Sequence, residues 1–158
     1  MTIRAAIDAS VVVKWLLPET RREPDTLPAL AILDAITSGA LEPLQPPHWL
    51  AEVTAVLARL APKTAVETIR FLSALELPVL DEPELYVEGC RLAARLEHHV
   101  FDTLYHAVTR CEGGTICITA DEAYYRKARA LRGGASAPGL YGGGSIEKPV
   151  TRLGMGGA

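Results

Sequence analysis

The sequence predicts an α/β fold, a central parallel sheet with helices on both faces. Three observations carry this. Short apolar runs alternate with longer amphipathic stretches, the pattern of strands joined by helical crossovers. The runs Ile3–Ile7 and Thr115–Ala120 each lead directly into an aspartate, Asp8 and Asp121. In open α/β sheets ligands bind outside the carboxyl ends of the strands, so these two acids are expected to face one crevice. The chain has 158 residues, 49% of them apolar, enough for one domain with a real core.

The elements follow in order. Ile3 to Ile7 reads as a buried strand. Ser10 is placed to cap a helix from Val11 to Leu17, which Pro18 ends. Thr20 to Pro28 is a polar loop containing prolines, and Ala29 to Ser38 is helical with Gly39 as its stop. A short strand near Leu44 runs into Pro46-Pro47, which suits a helix start. Leu50, Val53, Leu57 and Leu60 then mark one helical face. Pro62 breaks the chain and opens a helix with Val66, Ile69, Leu72 and Leu75 near one face. Leu77 to Leu80 reads as a short strand. Glu84 to Glu97 is an amphipathic helix with Leu85, Cys90 or Gly89, Leu92 and Leu96 inward. Asp102 to Cys111 is a helix stopped by Gly113-Gly114. The strand to Ala120 follows, then a helix from Glu122 to Leu131. No internal repeat is visible. Residues 1–132 form the domain and 133–158 a tail, because nine of the thirteen glycines lie between Gly133 and Gly157. Within that tail Ser145 to Leu153 is a candidate edge strand. Ordering the rest costs entropy for little burial.

Composition excludes several classes. There is no run of eighteen apolar residues, so no membrane span is expected. Asp8 and Lys14 interrupt the apolar stretch that a signal peptide needs, so the N-terminus reads as a strand that stays. Cys90, Cys111 and Cys117 show no CxxC pair, which points to reduced thiols and a cytoplasmic setting. A net charge of −3 counts against a nucleic-acid binder taken as a whole. Acids that hold a metal inflate that negative count, however, and Arg126 to Arg132 is a local basic cluster.

Four carboxylates carry the functional reading: Asp8, Glu52, Asp102 and Asp121. Each has two readings. Asp102 and Asp121 stand where an Asp usually caps a helix, Asp8 suits a strand-to-helix turn, and Glu52 suits a solvated helix position. Yet Glu52 lies among Leu50 and Val53, so its surroundings are expected to be apolar. Acids that meet in one pocket repel unless a cation joins them, and the fitting cation is a hard one, Mg²⁺ or Mn²⁺. A helix N-terminus helps hold a carboxylate ionised, by about 0.3–1 kcal/mol, and the ionised form is the one a metal takes. His48, His98, His99 and His106 form no zinc spacing, and His106 reads as surface decoration, with substrate contact as the alternative. Lys14 and Arg126 read either as phosphate contacts or as solvated helix residues.

Three stretches resemble the motifs of VapC-type PIN-domain toxins. Asp8-Ala9-Ser10-Val11-Val12-Val13-Lys14-Trp15-Leu16-Leu17-Pro18-Glu19 is similar to their opening. Phe101-Asp102-Thr103-Leu104-Tyr105-His106-Ala107-Val108 is similar to their third motif, though Thr103 and His106 replace small or aliphatic residues. Thr119-Ala120-Asp121-Glu122-Ala123-Tyr124-Tyr125-Arg126-Lys127 is similar to the fourth, and Glu52 stands where the second acid is expected. The resemblance covers Ile3 to Leu131. It implies a PIN-like α/β/α sandwich and a Mg²⁺- or Mn²⁺-dependent endoribonuclease, the toxin of a type II toxin–antitoxin system. Asp8, Glu52, Asp102 and Asp121 would then be the catalytic metal ligands. Ser10 and Thr119 would support the first and fourth acids or act as plain caps. Tyr105, Lys14 and Arg126 would be supporting or substrate-contacting residues. The implied partners are a cognate antitoxin, an RNA substrate and a second copy in a homodimer. Trp15, Leu16 and Leu17 belong either to the core or to an antitoxin groove. A nuclease acting on DNA, a non-toxin role in RNA processing and a non-catalytic PIN-like module are the alternatives.

Overall fold

The computed structural model describes residues 2–17, 25–131 and 150–154. Most of the expected loop from Thr20 and most of the glycine-rich tail lie outside the described residues. Four strands and seven helices are present among the described residues: β1 (Ile3–Ile7), α1 (Ala9–Leu16), α2 (Thr26–Thr37), β2 (Leu41–Pro43), α3 (Trp49–Leu60), α4 (Ala65–Ala74), α5 (Pro83–Leu96), α6 (Val100–Cys111), β3 (Thr115–Thr119), α7 (Glu122–Ala130) and β4 (Val150–Arg152). The sheet is parallel throughout, in the order β2-β1-β3-β4, the α/β/α architecture that the sequence predicts.

The central strands are buried on both faces, as parallel strands under helical layers must be. Ala5, Ala6 and Ile7 of β1 have no solvent exposure, and Cys117 and Ile118 of β3 are buried beside them. The chain leaves β1 toward β2 on one side, and β3 joins from the other. The β1–β3 junction is therefore a topological switch point, where a crevice opens at the strand ends. Ile7 pairs with Ile118, which sets Asp8 beside Thr119 at that crevice.

Two tight contacts position the site. Gln45 is fully buried. Its amide accepts from the Ile7 N–H at 2.8 Å and donates to the Ile7 carbonyl at 2.9 Å, a ladder rung made by a side chain immediately before Asp8. The second contact joins α5 and α6. The Thr103 hydroxyl donates to the Gly89 carbonyl at 2.8 Å, and a Cβ at Gly89 would meet Leu104 Cδ2 at 2.6 Å. Gly89 thus lets α6 approach closely enough to bring Asp102 to the crevice.

Some boundaries differ from expectation. The first helix starts at Ala9, so Ser10 lies inside it rather than capping it. The third-motif helix starts at Val100 with His99 as its cap, which places Asp102 in the first turn rather than at the cap. Leu77–Leu80 forms only an isolated bridge, Val79 to Gln45, because the Gln45 backbone has already left β2. Gly89, not Cys90, faces the core, since only a residue without a Cβ fits under Leu104. Trp15, Leu16 and Leu17 are partly buried against the core, and the Trp15 indole donates to the Ala29 carbonyl at 2.7 Å.

Candidate active site

Four segments far apart in sequence deliver carboxylates to one cavity of about 180 Å³. It is lined by Asp8, Ala9, Ser10, Val13, Glu52, Val56, Asp102 and Asp121. No Lys or Arg is among those residues.

Asp8 is 7% exposed. Its Oδ2 accepts from the Ser10 hydroxyl at 2.8 Å and from the Thr119 hydroxyl at 2.5 Å. Burial raises its pKa to about 6. The Thr119 and Ser10 donors oppose that rise, and the nearby Glu52 and Asp102 charges add to it. The same two hydroxyls tie the strand ends together. Ser10 Oγ accepts from the Ala120 N–H at 3.0 Å, and Thr119 Oγ1 accepts from the Asp121 N–H at 3.0 Å. Asp121 caps α7, its Oδ1 accepting from the Tyr124 N–H at 2.9 Å. Asp121 is thus both a cap and a wall of the cavity.

The other two acids stand on helices, half-buried. Glu52 Oε2 accepts from the Tyr105 hydroxyl at 2.8 Å and lies 3.3 Å from His48 Nε2. Burial alone would raise the Glu52 pKa. The His48 contact and the Tyr105 donor outweigh it, so the net shift is downward. Asp102 Oδ2 lies 2.9 Å from His98 Nε2. Its pKa is raised by burial and by the Glu52 charge, with His98 opposing.

The weaker candidates separate. Ser10 and Thr119 both touch Asp8. Tyr105 is fully buried and holds Glu52 rather than meeting solvent. Lys14 is half-buried on α1, and Arg126 is exposed on α7 with its Nε 3.0 Å from Glu122 Oε1; neither lines the cavity. His106 is not a surface residue. It is buried, with Nδ1 2.9 Å from the hydroxyl of Tyr124, which reaches it from α7. Sequence reasoning passed over His48 and His98. Their signal was present: each stands four residues before its acid, the spacing that puts two side chains on one helix face. Nothing local in the sequence marks Gln45.

The donor set fits a hard divalent cation: four carboxylates, burial and then mutual repulsion that raise Asp8 and Asp102, and no Lys or Arg among the described residues of the cavity wall. Among the described residues no three side chains already form a closed ligand cage. Each carboxylate instead faces a hydroxyl, a ring nitrogen or a backbone N–H.

The fold is similar to the crystal structure of PAE2754 from Pyrobaculum aerophilum. Sequence identity is 21% and the TM-score 0.50, over 80% of this chain and 87% of that one. That likeness concerns the fold alone. No curated protein sequence matches the chain significantly. Among the described residues no helix is long and apolar enough to cross a membrane. The PIN domain family model matches residues 5–130, a span that includes all four acids, most of β1, and all of β2 and β3, and the chain belongs to the PIN domain family.

Proposed function

We propose that this chain is a Mg²⁺- or Mn²⁺-dependent endoribonuclease, the toxin of a type II toxin–antitoxin pair acting in the cytoplasm. PIN domains are generally metal-dependent nucleases. The observation that carries the reading to these residues is the meeting of Asp8, Glu52, Asp102 and Asp121 in one cavity with no Lys or Arg among the described residues that line it. The toxin assignment rests on the resemblance of the Asp8–Glu19, Phe101–Val108 and Thr119–Lys127 stretches to VapC motifs.

The metal would be held by Asp8, Glu52, Asp102 and Asp121. When bound, it supplies charge neutralisation at the phosphoryl oxygens and a more acidic water. The residues of the chain do the rest. Thr119 and Ser10 fix one Asp8 oxygen, so the other is the one a metal would take. Tyr105 holds Glu52, and His98 orients Asp102. The negative cavity excludes the phosphodiester until cations arrive, so binding of metal and substrate is coupled.

Purified protein, free of any partner, is expected to cut single-stranded RNA in Mg²⁺ or Mn²⁺ and to stop in EDTA. A DNA oligonucleotide of the same sequence tests the sugar preference. Undiminished cleavage in EDTA, retained in Asp8→Asn, would overturn the metal reading. The toxin reading adds an antitoxin and a homodimer. Expression without the partner gene should arrest growth, and light scattering should give twice the chain mass.

A further inference from the structure

Beside the acids, the first turn of α6 carries a half-exposed phenylalanine. Phe101 directly precedes Asp102 and is 50% exposed. Its ring is nonetheless held in place. The His48 ring lies 5.3 Å from it, centroid to centroid, and the His99 ring lies 6.4 Å away and within 14° of parallel. His48 in turn meets Tyr105 edge-on at 5.0 Å, and Tyr105 holds Glu52. The exposed ring is thus tied through two rings to a carboxylate of the cavity.

His99 also lines an open groove of about 920 Å³. Asp102 and Asp121 belong to both that groove and the acid cavity, so the two are continuous. Among the described residues the rest of the groove is Ala93, Ala94, Glu97, His98 and Val100, and Lys127 stands beside it with its Nζ donating to the Glu97 carbonyl at 2.8 Å. The lining itself is apolar and acidic rather than basic. It suits a flat, uncharged group, and aromatic faces stack on any base.

We propose that Phe101, with His99 beside it, is a stacking platform for a nucleobase of a single-stranded substrate, next to the phosphate handled at the four acids. This rests on the nuclease reading above and names the part of the substrate that the site grips. A base must leave its stack to lie there, so the platform selects single strands over duplexes.

The test uses the full chain with short single-stranded oligoribonucleotides. Phe101→Ala is expected to raise KM about tenfold with kcat nearly unchanged, and Phe101→Trp to restore it. Removing the base from one nucleotide flanking the cut bond should bring the parent to the level of Phe101→Ala, and should cost that variant nothing more. A second readout does not need turnover. In an Asp8→Asn background with Mg²⁺ present, where cleavage is slow, the fluorescence of a Phe101→Trp variant should be quenched by the oligonucleotide beyond any change in the chain's two own tryptophans. Equal KM for Phe101→Ala and parent would overturn the platform and leave the exposed ring to a protein partner. Failure of the parent to cut any nucleic acid would overturn the nuclease reading instead. In that case absence of quenching would overturn the platform as well.

Discussion

The two halves of the site are built differently. Asp8 and Asp121 stand at strand ends and are tied to the sheet by hydroxyls and backbone N–H groups. Glu52 and Asp102 stand in the first turns of α3 and α6, each beside a histidine four residues upstream. The strand-end half is held by donors that converge from β3, α1 and α7: Thr119, Ser10 and the Tyr124 N–H. In the helix half, the buried Tyr105 together with His48 orients Glu52, whereas Asp102 relies on His98, whose side chain is 15% exposed. The difference shows where electrostatic stress gathers. Hydroxyls can donate to Asp8 but cannot neutralise it, so its pKa stays high, whereas a ring nitrogen and a phenol bring Glu52 down. A cation therefore gains most at Asp8, and that asymmetry can be broken residue by residue.

The largest effect is expected at Asp8. Asp8→Asn keeps an oxygen for Ser10 and Thr119 but removes a buried charge. Activity should fall on the order of 1000-fold, the scale of losing one metal ligand worth several kcal/mol. Without metal the variant should melt no lower than the parent, because repulsion among the acids is relieved. Added Mn²⁺ should raise the parent's melting temperature by linkage and the variant's less. Equal stabilisation by Mn²⁺, with activity intact, would reduce Asp8 to a turn residue.

Thr119→Val comes next. It deletes the donor at 2.5 Å from Asp8 and the acceptor for the Asp121 N–H together. Groups that orient metal ligands are worth about 10–100-fold, and a loss near 30-fold is expected from this range. Steady-state kinetics at saturating Mn²⁺ would check it. A loss under threefold would show that the ladder alone holds Asp8.

These two residues also show what was legible in advance. Asp8 and Asp121 could be read because an apolar run that stops on an acid is a local pattern. The parallel sheet could be read because strand and helix periods alternate along the chain. Asp102 was found as a residue but misplaced as a cap, since nothing in the sequence shows that Val100 and Phe101 enter the helix while partly exposed. Gln45 and Gly89 were opaque for another reason. Their roles depend on which backbone comes to lie against them, Ile7 in one case and Leu104 in the other.

Helix α6 carries the comparison further, because His98 flanks it at the cavity while His106 sits inside the core. Burial, and then the Arg110 charge, lower the His106 pKa to about 4. A histidine in the unfolded chain titrates near 6.5, so below that pH the unfolded state binds the extra proton. His106 therefore favours the fold fully above about 6.5, and its contribution is lost as pH falls toward 4. Asp8 works in the opposite sense without metal. Its folded pKa of about 6 lies above the unfolded value, so the fold gains as pH drops through that range. The two partly cancel in the parent, and a variant separates them. Between pH 7.5 and 5.5 the stability gap between parent and His106→Asn should shrink by about 1 kcal/mol. Urea midpoints at the two pH values would measure it. A gap that stays constant would mean that His106 accepts its proton in the folded state as readily as in the unfolded.

The smallest effect is expected at His98, where the contrast between the halves is sharpest. The Asp102 side chain is 29% exposed and the His98 side chain 15%, against 7% for Asp8 as a residue. Water can thus replace a lost imidazole at Asp102 with little cost, whereas nothing can enter behind Asp8. His98→Ala should lower activity only a few-fold, on the scale of a partly exposed pair worth about 1 kcal/mol or less. The loss should also shrink at high salt, where such a pair is screened in the parent too. His98 packs against the Tyr124 ring at 4.9 Å, so truncation also removes apolar contact. His98→Gln keeps a donor near the same place and some of that packing. Activity restored by Gln would make orientation of Asp102 the whole role of His98. A loss in His98→Ala as large as that of Thr119→Val, and not restored by Gln, would mean that the imidazole acts on the reaction itself, and the division between a closely held strand half and a forgiving helix half would fall.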